Sequence, residues 1–217
     1  MPLLRNKHHD HDPVWHVELI VLAVIVLQLV LPDRFVFDGH WLLPVLEVLL
    51  ALLLLATTPK EKVFRSFRRR VNVVLLLAVI ALGNVYALLG VAGQLLQQGR
   101  VSNGRELILT AVNIYLTNII VFALLYWEMD AGGPGRRRAA HDVERDFLFP
   151  QSGIASLSGW HPTSIDYLYV SSTNATAFSP TDTLPLSRRA KMLMLAQSVV
   201  SLTVVALVAA RAVNILN

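Results

Sequence analysis

The stretch "SIDYLYVSSTNATAFSPTDTLPLSRRAKMLMLAQSVVSLTVVALVAARAVNIL", residues 164–216, decides the fold. It begins with a short apolar segment, in which Ser164 is a suitable N-cap and Asp166 suits the positive end of a helix. A polar segment with prolines follows, and then a long apolar run. Non-helical backbone at membrane depth is tolerated only where protein or water surrounds it. The pattern therefore predicts a re-entrant helix and loop over 164–185, followed by a spanning helix over 190–216.

The composition is typical of an integral membrane protein. The chain has 217 residues, of which 54% are hydrophobic and only 16% are charged, whereas soluble domains carry about 25% charged residues. There is no cysteine, which excludes disulfides, thiol chemistry and cysteine metal ligands. A His/Asp cluster at 8–12 precedes the first apolar run, whereas a secretory signal has a charged start followed directly by an apolar run and a small-residue cleavage site. We expect the first apolar segment to be a retained membrane helix.

Apolar runs predict about five transmembrane helices. Each is near the ~20 residues that cross the hydrocarbon core as a helix. The predicted fold class is an all-α membrane protein with a re-entrant short helix and loop before the last helix. The predicted spans lie at 15–31, 41–57, 71–96, 107–127 and 192–215.

Three units follow from these runs. A polar tail occupies 1–14, and a three-helix bundle occupies 15–98. A pore-like unit occupies 105–217, with an outer helix at 107–127, a basic and apolar connection at 128–163, the re-entrant segment and the inner helix.

The distribution of basic residues predicts the topology. With a cytoplasmic N-terminus, fifteen Lys and Arg residues fall on the inside and three fall in outside loops. Such a bias marks the cytoplasmic side. The localisation predicted is a bacterial inner membrane, with the 128–187 connection in the cytoplasm.

Polar residues within the spans have two interpretations. Glu47 in the second span is costly in lipid and indicates a bundle interior or a wet cavity. Asn113, Thr117 and Asn118 share the fourth span. They either join helices by hydrogen bonds, which is the commoner role, or line a pathway.

Two clusters of polar residues lie outside the spans. Near the third span, basic residues at a membrane edge suit anionic lipid headgroups or a general cytoplasmic anchor; these are Arg65, Arg68, Arg69 and Arg70. The N-terminal cluster, 8–12, has metal-ligand residue types, but its spacing defines no geometry. We predict no cofactor, no metal and no nucleic-acid partner.

The sequence "DTLP", residues 182–185, precedes the last helix and resembles the end of a potassium-channel filter, where an aspartate and a proline lead into the inner helix. Aligned on Asp182, the resemblance puts "AFSPT", 177–181, in place of the glycine-containing filter. Glycine lets filter carbonyls line up around the ion, and "AFSPT" has none. The resemblance therefore implies a pore loop without potassium selectivity. Its predicted lining residues are Thr176, Phe178, Ser179, Thr181 and Asp182.

A broader resemblance covers about 122–216. The stretches "LLYWEMDAGGPGRRR", "DFLFPQ" and "AARAVNIL" are similar to those of a family of small bacterial integral membrane proteins of unknown function. Some members are described as ion-channel-like. The resemblance implies a bacterial membrane location.

Three functions remain open at this point. The first is an oligomeric pore, expected to be a tetramer, that passes cations, monovalent ones among them, or small solutes. The second is a non-conducting scaffold or sensor that binds a partner or lipid through 128–163. The third is a membrane enzyme with acid–base side chains near the interface; its candidates are Asp130, His141, Asp142, Glu144, Asp146, His161 and Asp166. These acid–base residues match no catalytic spacing, and we expect no enzyme.

Overall fold

The structure is a computed structural model that describes residues 67–96, 104–137, 145–157, 160–176 and 182–216. It also describes four exposed helical positions within the second predicted span, Val45, Val48, Leu49 and Leu52. The described part is mostly helical. Its helices are α1 (Phe67–Leu96), α2 (Gly104–Met129), α3 (Pro134–Arg137), α4 (Ser164–Thr176) and α5 (Arg188–Leu216).

Three of the described helices are long and apolar enough to cross a membrane, at Arg70–Gly93, Leu107–Gly132 and Arg188–Arg211. They correspond to the third, fourth and fifth predicted spans. The first predicted span and most of the second lie outside the described residues. The coarse prediction, a helical protein with membrane-spanning helices, agrees with this structure.

Helix α2 lies at the centre of the described bundle. Near its C-terminus, Phe122 and Leu125 share a core with Val73 and Leu77, near the N-terminus of α1. Ile114 shares a second core cluster with residues from the other half of α1 and from α5, namely Ala87, Leu88, Val91 and Val204. Ala190, near the start of α5, belongs to the first cluster and Val204 to the second, so α1 and α5 are both antiparallel to α2. The third predicted span thus packs directly on the pore-like unit.

Much of the α5 surface is apolar and uncovered within the described residues. Leu195, Val199 and Leu202 are all more than half exposed. A helix that presents large apolar side chains on its outer face suits a bilayer, where lipid covers them.

One end of the bundle, which we call the basic end, brings together the start of α1, the end of α2 and the start of α5. Arg70 donates from Nε to the Glu128 carbonyl at 3.1 Å and from Nη2 to the Met129 carbonyl at 3.2 Å. These are carbonyls that a helix C-terminus leaves without intrahelical partners. The described basic side chains near this end are Arg68, Arg70, Arg136, Arg145, Arg188, Arg189 and Lys191.

The chain turns sharply after α2. Ala131, Gly132 and Gly133 have φ angles of 51°, 83° and 97°. Positive φ is strained for residues with a Cβ and is readily adopted by glycine, which occupies two of these three positions. Within the described part of the connection, 3₁₀ helices lie at Asp130–Gly132, Pro150–Gly153 and Ala155–Leu157.

The short helix predicted at the start of 164–185 is present as α4, but its N-cap is Thr163, one residue before the predicted Ser164. Asp166 Oδ2 accepts hydrogen bonds from the Thr163 backbone N–H at 2.7 Å and from Thr163 Oγ1 at 2.8 Å. This is one half of a capping box, with Thr163 as the N-cap and an acidic residue at the third helical position. Ser164 lies within the helix and is buried.

Candidate functional site

The segment 164–187 contacts the basic end at both of its described ends, in α4 and in residues 182–187. At its start, the Tyr167 hydroxyl donates to the carboxylate of Asp130, directly after α2. At its end, β2 (Leu184–Pro185) pairs antiparallel with β1 (Phe147–Leu148). The Leu186 N–H also donates to the Asp146 carbonyl at 2.8 Å. Both described ends of the segment therefore contact the connection between α2 and α4.

Asp130 organises this junction. Its side chain is fully buried. Besides Tyr167, its carboxylate accepts hydrogen bonds from the backbone N–H groups of Asp146 at 2.6 Å and Phe147 at 3.2 Å. Buried carboxylates are tolerated when such donors satisfy them. Asp130 thus fixes the connection against the end of α2 and the start of α4.

An aromatic cluster covers the basic end. Phe147 lies 5.1 Å from Tyr126 and 6.1 Å from Tyr167, measured between ring centroids. Phe149 lies 5.3 Å from Tyr167 and 5.6 Å from Trp160. Tilted and edge-on pairs at these distances are favourable. The apolar part of the 128–163 connection therefore packs largely on its own bundle.

Gln197, in the second quarter of α5, is the polar centre of the described bundle. Its side chain is fully buried. Oε1 accepts from the Tyr126 hydroxyl at 2.6 Å and from Asn174 Nδ2 at 2.8 Å. Nε2 donates to the Ser171 carbonyl at 3.0 Å and to Ser171 Oγ at 2.6 Å. All four hydrogen-bonding positions of the amide are filled, and together they join α2, α4 and α5.

The C-terminal half of α4 lies alongside the first three turns of α5. Asn174 Nδ2 donates to the Met194 carbonyl at 2.9 Å, and Ser198 Oγ donates to Asn174 Oδ1 at 3.2 Å. Ser171 Oγ donates to the Ile119 carbonyl of α2 at 2.6 Å. Ser198 follows Arg188 by ten residues, which is about 15 Å along a helix. This is roughly half of the ~30 Å hydrocarbon thickness.

The predicted intramembrane polar residues lie at contacts between helices or within one helix. Asn118 Nδ2 donates to the Gln197 carbonyl at 3.2 Å and to Ser201 Oγ at 2.9 Å. Thr117 Oγ1 donates to Asn113 Oδ1 at 3.1 Å, within α2. All three predicted residues of α2 are buried. Glu47 lies outside the described residues.

Of the predicted lining residues, the structure describes Thr176 and Asp182. Thr176 is exposed at the end of α4, and its Oγ1 donates to the Thr173 carbonyl at 3.0 Å. Asp182 is exposed, two residues before β2. Phe178, Ser179 and Thr181 lie outside the described residues.

The predicted lipid-binding arginines differ in their surroundings. Arg68 is exposed, whereas Arg70 is partly buried and hydrogen-bonded to the end of α2. Arg65 and the side chain of Arg69 lie outside the described residues. For Arg70 the structure thus adds a structural role that the sequence could not indicate.

The acid–base candidates that the structure describes have structural partners. Asp130 and Asp146 hold the junction, and Asp166 caps α4. His161 is partly buried, and His141, Asp142 and Glu144 lie outside the described residues. Within the described ranges, no group of three or more His, Asp or Glu side chains is placed to hold a metal ion.

Gln197, Asn174, Ser171 and Tyr126 were not among the site residues predicted from the sequence. One signal was available for Gln197, because an amide within an apolar span must find partners. Its partners come from two other helices, and the sequence alone does not pair them.

Comparison with protein-family models, with curated proteins and with solved structures finds no match to this chain. The resemblances to ion channels and to small bacterial membrane proteins therefore remain predictions.

Proposed function

We propose that the chain is a subunit of an oligomeric, ion-channel-like membrane pore, in which 164–187 is a re-entrant segment. The observation that carries the proposal is the path of this segment. It contacts the basic end at Tyr167 and again at Leu184–Pro185, and between them α4 reaches Ser198 of α5. Thirteen helical residues measure about 20 Å, too short to cross the bilayer. A segment that enters and returns on one side suits a pore loop.

The basic end corresponds to the cytoplasmic side in this proposal. Arginine and lysine near helix ends mark the cytoplasm, and the starts of both α1 and α5 carry them. The re-entrant segment then enters from the cytoplasm, opposite to the filter loop of the potassium channels that "DTLP" resembles. The membrane is the bacterial inner membrane, as the sequence predicts.

Symmetry completes the pore. A single re-entrant segment cannot enclose a passage, so copies must surround a common axis, and four is the number that the pore-loop resemblance implies. Thr176, Ser179, Thr181 and Asp182 supply hydroxyls and a carboxylate to the passage, and Phe178 supplies a constriction. A ring of carboxylates favours cations, and the absence of glycine in "AFSPT" disfavours potassium selectivity.

The test is ion flux through purified protein in liposomes. We expect monovalent cation flux with little preference for K⁺ over Na⁺, and a lower cation-to-anion permeability ratio for Asp182→Asn. Asp38→Asn, in the predicted loop between the first two spans, is the matched charge control and should leave the ratio unchanged. No flux over a range of potentials and pH values would overturn the proposal.

A second candidate is a non-conducting scaffold that binds a partner or lipid through 128–163. Two apolar side chains of this connection favour it, because Ile154 and Leu157 are 47% and 41% exposed. Since Phe147 and Phe149 belong to the core, deleting the whole apolar stretch would disturb the fold. Ile154→Ser with Leu157→Ser is the sharper test. Unchanged binding partners in this double variant would remove the scaffold function.

A further inference from the structure

We propose that Gln197 is the positioning residue of the pore loop, and that its amide sets where α4 ends and therefore where the loop begins. The effect of Gln197 on ion selection rests on the proposed pore function. The position of α4 itself can be tested without any flux.

The first step of the argument is the placement of α4. Two of its polar side chains are bonded to the neighbouring helices, buried Ser171 to α2 and partly buried Asn174 to α5. Both residues also bond to the Gln197 side chain. Thr176 follows Asn174 by two residues, so a shift of this contact moves the start of the loop.

The second step is the chemistry of the amide. Tyr126 and Asn174 present donors to Oε1, while the Ser171 carbonyl presents an acceptor to Nε2. Only a group with an acceptor and a donor side by side satisfies both. Methionine has a similar size and supplies no donor, and a carboxylate supplies only acceptors. A carboxylate at position 197 would place a negatively charged oxygen against the Ser171 carbonyl oxygen, and the two would repel each other. Protonation of that carboxylate supplies an O–H group that can donate to the Ser171 carbonyl.

The experiment uses the absence of cysteine in the chain. Thr176→Cys introduces a single thiol at the end of α4, and its labelling rate with a water-soluble maleimide reports the position of that end. We expect Gln197→Met to change this rate at least about threefold, which corresponds to the loss of an ordinary interhelical hydrogen bond in a membrane. Thr203→Val is the control, because Thr203 is exposed on α5 and its hydroxyl bonds within its own helix.

Gln197→Glu provides a test that a simple packing role would not satisfy. At each pH the labelling rate is divided by that of a cysteine peptide. We expect the normalised rate of Gln197→Glu to approach that of the Gln197 protein as the pH falls, because protonation restores a donor toward Ser171. The Gln197 protein and Gln197→Met should show no such recovery. This variant also keeps the proposal testable if Gln197→Met does not fold.

The outcomes separate this proposal from the pore function. The positioning role would be overturned if the Gln197 protein and Gln197→Met were labelled at equal rates, or if neither were labelled. It would also be overturned if the normalised labelling rate of Gln197→Glu did not respond to pH. Altered labelling in a protein without flux would support the positioning role and remove the pore. Where both hold, Gln197→Met should also shift the Na⁺/K⁺ permeability ratio, which Thr203→Val should not.

Discussion

Arg189 donates two hydrogen bonds of 2.7 Å to Asp146, one to each carboxylate oxygen. The pair joins the first turn of α5 to the residue before β1, across 43 positions of sequence. The carboxylate side chain is 3% exposed, whereas the arginine side chain is 51% exposed. The planar arginine fork matches the carboxylate in a way that a lysine cannot.

Removing the arginine should therefore destabilise the protein more than removing the carboxylate charge. Arg189→Ala leaves the buried Asp146 carboxylate without its cation and should cost about 1–3 kcal/mol. Asp146→Asn leaves Arg189 in contact with water and should cost less. The measurement is thermal unfolding in detergent. Arg188→Ala, at the exposed neighbouring position, is the control, and an equal loss in this control would contradict the prediction.

The hydroxyl of Tyr126 contributes to stability through Gln197. Tyr126→Phe removes the donor of a buried 2.6 Å hydrogen bond and should lower stability by about 1 kcal/mol. Tyr169→Phe makes the same chemical change at a side chain that is 55% exposed. We expect the unfolding temperature to fall in Tyr126→Phe and to stay almost unchanged in Tyr169→Phe. Similar values in both would show that the hydroxyl bond at Gln197 contributes nothing.

The turn after α2 requires glycine at 133. Its φ is +97°, and an added Cβ would lie 3.1 Å from the Glu128 carbonyl oxygen. Gly133→Ala should cost about 1–3 kcal/mol of strain. Gly90→Ala is the matched comparison, because a Cβ at that helical position meets no atom within 4 Å and alanine favours helices. Thermal unfolding should separate the two variants, and a stable Gly133→Ala protein would contradict the turn geometry.

The depth of α4 beside α5 can be tested by cross-linking. Asn174 and Ser198 have side-chain oxygens 3.2 Å apart, so Asn174→Cys with Ser198→Cys should form an intrachain disulfide under mild oxidation. Asn174→Cys with Thr203→Cys should not, because Thr203 lies exposed more than one turn further along α5. A protease site engineered between positions 174 and 198 gives the readout. After cleavage, the disulfide holds the two fragments together until a reductant is added. A disulfide in the second pair alone would place α4 at a different depth.

Local features of this chain were predictable because they depend on neighbouring residues. Apolar runs marked the described spans, and the short apolar run with an acidic first turn predicted a short helix where α4, Ser164–Thr176, lies. The N-cap lies one residue before the predicted Ser164. Thr163 and Ser164 both carry hydroxyls and are both suitable N-caps, and the bond from Thr163 to Asp166 identifies Thr163.

Distant pairings were not predictable from the same patterns. Arg70 lies 58 positions from Glu128, whose carbonyl it contacts. Phe147 and Phe149 have the composition of a docking segment, yet both are buried in the core of their own bundle. In each case a side chain has several chemically suitable partners, and only the packing of α1, α2 and α5 selects one.

The hydrogen bonds of α4 also constrain the order of assembly during synthesis. Its Ser171 is bonded to α2, made before it, and its Asn174 is bonded to α5, made after it. Until α5 is present, Asn174 lacks its partners at Met194 and Gln197, and lipid offers none. A nascent chain that ends before α5 should therefore hold α4 in the translocon or at the membrane surface, and insertion of the last helix should draw the short helix into place.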